Sequence, residues 1–216
     1  MEPWIDFLKS LHSAEGITRL ITAGGYLGLV AIVFAETGLL VGFFLPGDSL
    51  LVTAGIFCSP AAVGGQLFDP VLLMTVLSIA AIAGDQVNYA LGRKTGQAVF
   101  KRPDSRFIKR RYFEQAREFY ERHGASAVVI ARFVPILRTF VPFIAGVAEM
   151  SYTRYVLYNV IGGIGWVVSM VLLGYLIGMT PLASKLHRVI VVVVFISLLP
   201  LAAGAFKQWR ASREAR

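Results

Sequence analysis

Three long stretches of the sequence carry almost no charge, and they constrain the fold more than any other feature. Positions 20–58 hold only Glu36 and Asp48, whereas positions 155–184 and 189–206 hold no charged residue. A helix needs about 20 apolar residues to cross a bilayer. With 56% hydrophobic and 16% charged residues, the chain is too apolar for an ordinary soluble domain. The stretches therefore predict an all-α integral membrane protein.

Basic residues are distributed unevenly along the chain. None lies between Arg19 and Arg93, whereas positions 93–123 hold ten Lys and Arg residues against four acidic residues. Because basic loops stay on the cytoplasmic side, we predict a cytoplasmic loop at 93–123 and a cytoplasmic tail at 207–216. The net charge of +8 arises from these flanking segments, which are expected to face anionic lipid headgroups. Nucleic acid is not a predicted partner.

Proline and glycine residues interrupt two of the apolar segments, at Pro46, Gly47, Pro135 and Pro142. Broken backbone at membrane depth must be covered by protein or line a wet cavity, which is typical of re-entrant hairpins. Two such hairpins that enter from opposite sides, each followed by a helix, predict an inverted repeat. We predict a single polytopic domain, 1–216, with an interfacial helix at 1–16, a helix at 17–35, a re-entrant hairpin at 37–58, a transmembrane helix at 69–92, an amphipathic helix within the loop 93–123, a second hairpin at 125–147, transmembrane helices at 153–179 and 186–206, and the tail 207–216.

Four charged residues are predicted to lie deep inside the bilayer: Glu36, Asp48, Arg132 and Arg138. An Arg at the bilayer centre costs about 2.5 to 3.5 kcal/mol on insertion scales, so the arginines need compensating groups. One interpretation is a structural ion-pair network with the two acids. The other is that the guanidinium groups bind a phosphate, whose oxygens match their fork geometry. Inverted repeats are typical of transporters, which often bind their substrate at the repeat interface, and both interpretations can hold in different transport states.

Glu36 and Asp48 are predicted to couple transport to protons. Low dielectric disfavours a charged carboxylate, and a nearby Arg favours it, so each acid could exchange its Arg partner for a proton. Proton entry would then be coupled to release of a phosphate from the same arginines. The predicted energy source is the proton motive force, and we predict no catalytic residue, no metal and no cofactor.

Further polar side chains on apolar segments are secondary candidates: Asp85, Tyr89, Thr139 and Asn159. Such groups more often form hydrogen bonds between helices than bind a ligand. Cys58 is the only cysteine, which excludes an intrachain disulfide and a thiolate cluster, and it is expected to be a small packing residue.

These residues belong to a set of short motifs, each of which is weak evidence for a family by itself, whereas the whole set is specific. It comprises Glu36-Thr-Gly, Leu45-Pro-Gly-Asp-Ser-Leu50, Gly84-Asp85 with Tyr89 and Gly92-Arg93, Arg132-Phe-Val-Pro135, Arg138-Thr-Phe140 and Pro142, followed by Ala145-Gly146, Met150, Tyr155, Asn159, Gly162 or Gly163, and Trp166. Over roughly positions 30–178 the chain resembles the DedA family, also called the SNARE-associated or VTT-domain family.

The resemblance implies a multi-pass protein of the bacterial inner membrane with two facing re-entrant hairpins. It implies proton-linked recycling of undecaprenyl phosphate, or flipping of another anionic phospholipid. The functional acids of the family map onto Glu36 and Asp48, and its arginines onto Arg132 and Arg138. The segment 39–44 is bulkier and more aromatic than the proline-rich versions often seen in the family, which leaves the choice of lipid open.

Other function classes are weighed against this interpretation. A passive phospholipid scramblase or a non-transporting membrane-homeostasis factor would carry the same charges without proton coupling. A cation or drug exchanger is disfavoured because two arginines would repel its substrate. A lipid phosphatase would need a nucleophile or a metal set, and His12, His123 and His187 lie in predicted loops or interfaces away from the arginines. Small-residue helix faces would permit a homodimer.

Overall fold

The computed structural model describes residues 14–40, 45, 47–62, 65–100 and 126–181. Regular secondary structure in these residues is entirely α-helical: α1 (Ala14–Gly38), α2 (Gly47–Ile56), α3 (Pro70–Phe100), α4 (Ser126–Ala131), α5 (Pro135–Val147) and α6 (Tyr152–Gly178). The predicted all-α fold is confirmed. Most of the interfacial helix 1–16, Pro46, the amphipathic helix in 93–123, the helix 186–206 and the tail lie outside the described residues.

Three of these helices contain segments long and apolar enough to cross a membrane: Ile21–Gly38, Pro70–Gly96 and Tyr152–Gly178. Together with the composition they show a membrane protein. α2 and α5 are apolar but shorter, as expected for the arms of hairpins. α1 continues past the predicted boundary at 35 to Gly38, so the first arm of the first hairpin belongs to this helix.

The first hairpin, called hairpin 1, consists of residues 26–38 of α1 and residues 47–56 of α2. It starts after Gly25, whose φ of 53° and ψ of −148° interrupt the helix in a conformation that glycine adopts readily. The Tyr26 hydroxyl accepts a hydrogen bond of 2.9 Å from the Asp69 N–H, just before α3. A Cβ on Gly38 would lie 3.2 Å from the Gly84 Cα, deep within α3. This arm therefore runs in the same direction as α3, and α2 returns toward its start.

The second hairpin, called hairpin 2, consists of α4 and α5, joined by Arg132–Val134. α5 also runs in the direction of α3, but alongside its later half. A Cβ on Gly92 would lie 3.0 Å from the Phe143 Cα, and a Cβ on Gly96 3.1 Å from the Val147 Cα. The two hairpins thus enter from opposite ends of α3, as an inverted repeat requires.

Pro142 does not break hairpin 2. α5 begins at Pro135 and continues helically through Pro142 to Val147, so the prediction of a break at Pro142 is wrong. The break lies at Arg132–Val134. Proline at the first helical turn is tolerated because that N–H lacks a helical partner, and a proline inside a membrane helix is tolerated where neighbouring helices support the backbone.

Glycine contacts allow α2 to pack tightly on α6. A Cβ on Gly174 would lie 2.9 Å from the Val52 carbonyl carbon and 3.0 Å from the Gly55 Cα. By contrast, a Cβ on Gly165 of the same helix would meet nothing within 4 Å. Small residues at such crossings let helix backbones approach in a bilayer.

Gly174→Ala is therefore expected to lower the melting temperature of the purified protein in detergent. The added methyl group overpacks the α2–α6 contact, at a cost of about 1 to 3 kcal/mol. Gly165→Ala is the matched control and is expected to leave stability equal or slightly higher, by up to about 1 kcal/mol, through helix propensity. Equal melting of the two variants would contradict the packing described here.

Candidate functional site

Arg138 lies where the two hairpins meet. Its Nη1 donates a hydrogen bond of 2.5 Å to Asp48 Oδ1, and its Nη2 donates to Glu36 Oε1. Glu36 is fully buried, Arg138 is 6% exposed and Asp48 is 8% exposed. The three residues come from α5, α1 and α2, so the ion pairs join both arms of hairpin 1 to hairpin 2.

Trp166 of α6 completes this cluster. Its indole Nε1–H donates a hydrogen bond of 2.9 Å to Asp48 Oδ1, and the Arg138 Cζ lies 4.8 Å from the centroid of its ring. The indole therefore holds Asp48 by its edge and contacts the guanidinium through its face, a cation–π interaction. The sequence analysis did not assign Trp166 a role. A buried indole N–H usually finds an acceptor. A tryptophan in an apolar helix could therefore have been predicted to donate to one of the buried acids.

The local fold places the two carboxylates in different helix environments. Asp48 lies in the first turn of α2, where the helix dipole favours negative charge, whereas Glu36 lies in the last turn of α1, where the dipole disfavours it. Gly47 makes the close approach possible, since a Cβ at this position would overlap the Glu36 carboxylate. The two acids therefore share one guanidinium but are not equivalent.

Arg132 forms a second, separate cluster. Its Nη2 donates to the Asp85 carboxylate of α3 and to Asn159 Oδ1 of α6. The Asn159 amide also donates to the Ile82 carbonyl at 3.3 Å, and the Tyr155 hydroxyl donates to the Asp85 carbonyl at 2.9 Å. The tip of hairpin 2 is thereby fixed between α3 and α6.

Two predictions about these residues are corrected. One of the two interpretations of the sequence paired both arginines with Glu36 and Asp48, but Arg132 pairs with Asp85. Asp85 was expected to form a helix-to-helix hydrogen bond, yet it is 2% exposed and forms a buried ion pair. An acid on an apolar helix has to meet a cation or a proton at depth, but the sequence does not show which arginine comes within reach.

The charges of the described site do not balance. Asp85 faces Arg132 alone, whereas Glu36 and Asp48 share Arg138. Within the described part of the chain, no partner is present for Glu36 Oε2 or for the Nε atoms of both arginines. Buried charges are stable only when they are paired. A proton on one of the two carboxylates would make the site neutral.

The remaining predicted residues lie around these clusters. The Tyr89 hydroxyl donates a hydrogen bond of 2.5 Å to the Met150 carbonyl, and its ring stacks on Tyr155 at 4.2 Å. The carbonyl of Thr139 accepts a hydrogen bond from Asn88, a buried residue that the sequence analysis did not single out. Cys58 is buried, as expected for a packing residue. His12, His123 and His187 lie outside the described residues.

The fold and the site define the class: an all-α integral membrane protein in which two facing hairpins meet at buried ion pairs. The family model of the VTT domain matches residues 45–176. The chain is 41% identical over 215 residues to Protein DedA of Escherichia coli (strain K12), covering 98% of this chain and 96% of the relative. It belongs to the DedA family of VTT-domain membrane proteins, and the resemblance seen in the sequence is confirmed.

Other relatives carry names that describe membrane proteins. Inner membrane protein YqjA of Escherichia coli (strain K12) is 35% identical over 182 residues, covering 84% of this chain and 78% of the relative. An uncharacterized membrane protein of Mycobacterium leprae (strain TN) is 38% identical over 189 residues, covering 87% and 82%. No solved structure matches the chain.

Proposed function

We propose that this protein is a proton-linked transporter that moves undecaprenyl phosphate, or a related anionic lipid, across the bacterial inner membrane. The observation that carries the proposal is the buried Arg138, held by Glu36 and Asp48 where the two hairpins meet. In the proposed orientation the loop 93–123 and the C-terminal tail face the cytoplasm. The name of the inner-membrane relative supports this membrane.

The guanidinium of Arg138 is suited to bind a phosphate. Each of its two terminal nitrogens donates to a carboxylate oxygen, and two phosphate oxygens can occupy the same directions. A phosphate would therefore compete with the acids for Arg138. The lipid tail needs no cavity in this proposal, since it can stay in the surrounding hydrocarbon while the headgroup enters between the hairpins.

Glu36 is the proposed exchangeable partner. The α1 dipole disfavours its charge, whereas Asp48 is held by Trp166 and by the start of α2. Protonation of Glu36 removes one of the two negative charges that compete for Arg138. A phosphate can then take the place of the Glu36 carboxylate at the guanidinium. Loss of that proton on the other side of the membrane restores the ion pair and expels the phosphate.

Arg132 is proposed to bind the phosphate only in a state in which Asp85 releases it. In the structure it is held by Asp85 and Asn159, and it packs against Gly163, where a Cβ would lie 3.4 Å from its Cζ. These contacts support a role in fixing the tip of hairpin 2. The two arginines thus enter the proposal with different roles.

The test is translocation of labelled undecaprenyl phosphate in proteoliposomes, with and without an inward proton gradient. Gradient-stimulated movement that is lost in Glu36→Gln and in Arg132→Ala supports the transporter. Movement that ignores the gradient indicates a passive scramblase. No movement above that in empty vesicles contradicts the proposal and favours a homeostasis role, whereas release of inorganic phosphate from undecaprenyl pyrophosphate would indicate an enzyme.

Glu36→Gln is expected to make the remaining translocation independent of pH. The amide keeps the size and one acceptor oxygen of the carboxylate, but it cannot exchange a proton, so the Arg138 contact no longer responds to the gradient. The measurement is the initial translocation rate over a series of external pH values. Asp69→Asn is the matched control because Asp69 is an exposed carboxylate before α3, and it should keep the wild-type profile. A wild-type profile in Glu36→Gln would contradict the assignment.

A further inference from the structure

Asn88, in the middle of α3, connects the two hairpins. Its Nδ2 donates hydrogen bonds to the carbonyl of Thr37 at 3.1 Å and to the carbonyl of Thr139 at 2.6 Å. Thr37 belongs to hairpin 1 and Thr139 to hairpin 2. Asn88 is fully buried. A single amide nitrogen therefore holds backbone from both halves of the repeat.

The two carbonyls lie next to the residues of the ion pair. Thr37 follows Glu36 in the chain, and Thr139 follows Arg138. Thr37 is also in the last turn of α1, where carbonyl groups lack helical donors, so Asn88 supplies a donor there. Asn88 therefore holds the backbone directly beside Glu36 and directly beside Arg138.

The hydrogen bonding of this contact is incomplete. Asn88 Oδ1 and Thr139 Oγ1 have no partner among the described residues, although both side chains are fully buried. Buried polar groups are normally satisfied, and each exception calls for an explanation. An amide that served only to hold the helices together would be expected to use its oxygen as well. Because these two atoms beside the ion pair have no partner here, they can form hydrogen bonds in a second arrangement of the hairpins.

We propose that Asn88 is a positioning residue that keeps the hairpins together until Glu36 releases Arg138. The inference rests on the proposed function. One nitrogen can bond both carbonyls only while each lies within about 3.2 Å of it. Separation of the hairpins to admit a phosphate must break at least one of these bonds. The closed arrangement is therefore stabilised jointly by the ion pair and by Asn88.

The groups around Glu36 come from four helices, and the charged groups that face it come from two of them, α2 and α5. Asp48 approaches from α2 and Arg138 from α5, while Trp166 of α6 adds a neutral indole; Asp85 of α3 is paired with Arg132. Without the Asn88 bonds, only the ion pair is left of these two contacts, and we expect it to be too weak by itself to keep the hairpins closed. The hairpins should then separate while Glu36 is still charged.

Asn88→Leu tests this inference because leucine has a similar size and no hydrogen-bonding group. Spin labels at Leu39 of the loop after α1 and Leu137 of α5, each 48% exposed, report the separation of the hairpins in a Cys58→Ala background. Cys58 is the only native cysteine. We expect the wild-type label distance to lengthen only at acidic pH. In Asn88→Leu, the longer distance should already be present at neutral pH.

The second readout is translocation of undecaprenyl phosphate in proteoliposomes with and without a proton gradient. The ratio of the two rates is expected to fall about tenfold in Asn88→Leu, the effect of losing one to two hydrogen bonds. Gln86→Leu is the control, because it also removes a side-chain amide from α3. Gln86 is partly buried, and its side-chain oxygen has no partner in the described structure. It should leave both the ratio and the label distance unchanged.

Identical label distances and an identical pH profile in wild type and Asn88→Leu would overturn the inference. If Asn88→Leu does not fold, Asn88→Ala is measured in the same way with the same expected results. A wild-type protein that moves no lipid, but whose label distance responds to pH and to Asn88→Leu, would contradict the proposed function and not the role of Asn88.

Discussion

Arg138→Ala is expected to reduce lipid translocation to the level of empty vesicles and to destabilise the protein strongly. The substitution leaves Glu36 and Asp48 as two buried carboxylates with no cation between them. Breaking a buried ion pair from one side costs about 3 to 5 kcal/mol. Thermal unfolding in detergent and proteoliposome translocation measure the two effects.

Loss of stability and loss of phosphate binding can be separated in the Arg138 series. The triple variant Arg138→Ala, Glu36→Gln, Asp48→Asn removes all three charges, so most of the lost stability should return. Translocation should not return, because Arg138, the residue proposed to bind the phosphate, is absent. A triple variant that transports lipid at the wild-type rate would show that the cluster is only structural and that the phosphate is not bound by Arg138.

Arg138→Lys is the conservative member of this series. Lysine keeps the charge but presents a single ammonium group in place of a planar fork, so it cannot reproduce both contacts with Glu36 and Asp48. It is expected to fold and to lose most of its translocation. Wild-type translocation by this variant would argue against bidentate phosphate binding.

Asp85→Asn is expected to have the second large effect, on stability. It leaves Arg132 buried beside Asn159 with no carboxylate, and an unpaired buried charge costs about 3 to 5 kcal/mol. Arg132→Gln alone leaves Asp85 unpaired and should be similarly unstable. In the double variant the two losses should not add, and the coupling energy of the cycle measures the interaction. The free energy of unfolding is the quantity to measure.

The same double variant decides the role of Arg132. If Arg132 only fixes the tip of hairpin 2, a folded Asp85→Asn, Arg132→Gln protein should still translocate lipid. If Arg132 binds the phosphate after Asp85 releases it, translocation should stay low although stability is restored. Additive losses of stability would instead contradict the ion pair seen in the structure.

The hydrophobic pattern predicted where α3 and α6 begin because apolar length is a local property of the sequence, but α3 continues past its predicted end at 92 to Phe100. α3 and α6 begin within one residue of their predicted starts at 69 and 153. The helix at Pro142 was not predicted correctly, since a proline inside a membrane helix is tolerated only where surrounding protein supports the backbone. That support comes from α3, against which α5 packs closely.

The sequence by itself determined the class of protein, four of the charges at membrane depth and the need to compensate them. These follow from composition and from the cost of charge in hydrocarbon, which do not depend on the fold. Only the tertiary structure decided which acid each arginine meets. The pairs join residues 102, 90 and 47 positions apart in the chain. Trp166 and Asn88 are uncharged, so the charge pattern does not mark them. Contacts over such separations are set by the packing of the hairpins, and no local pattern encodes them.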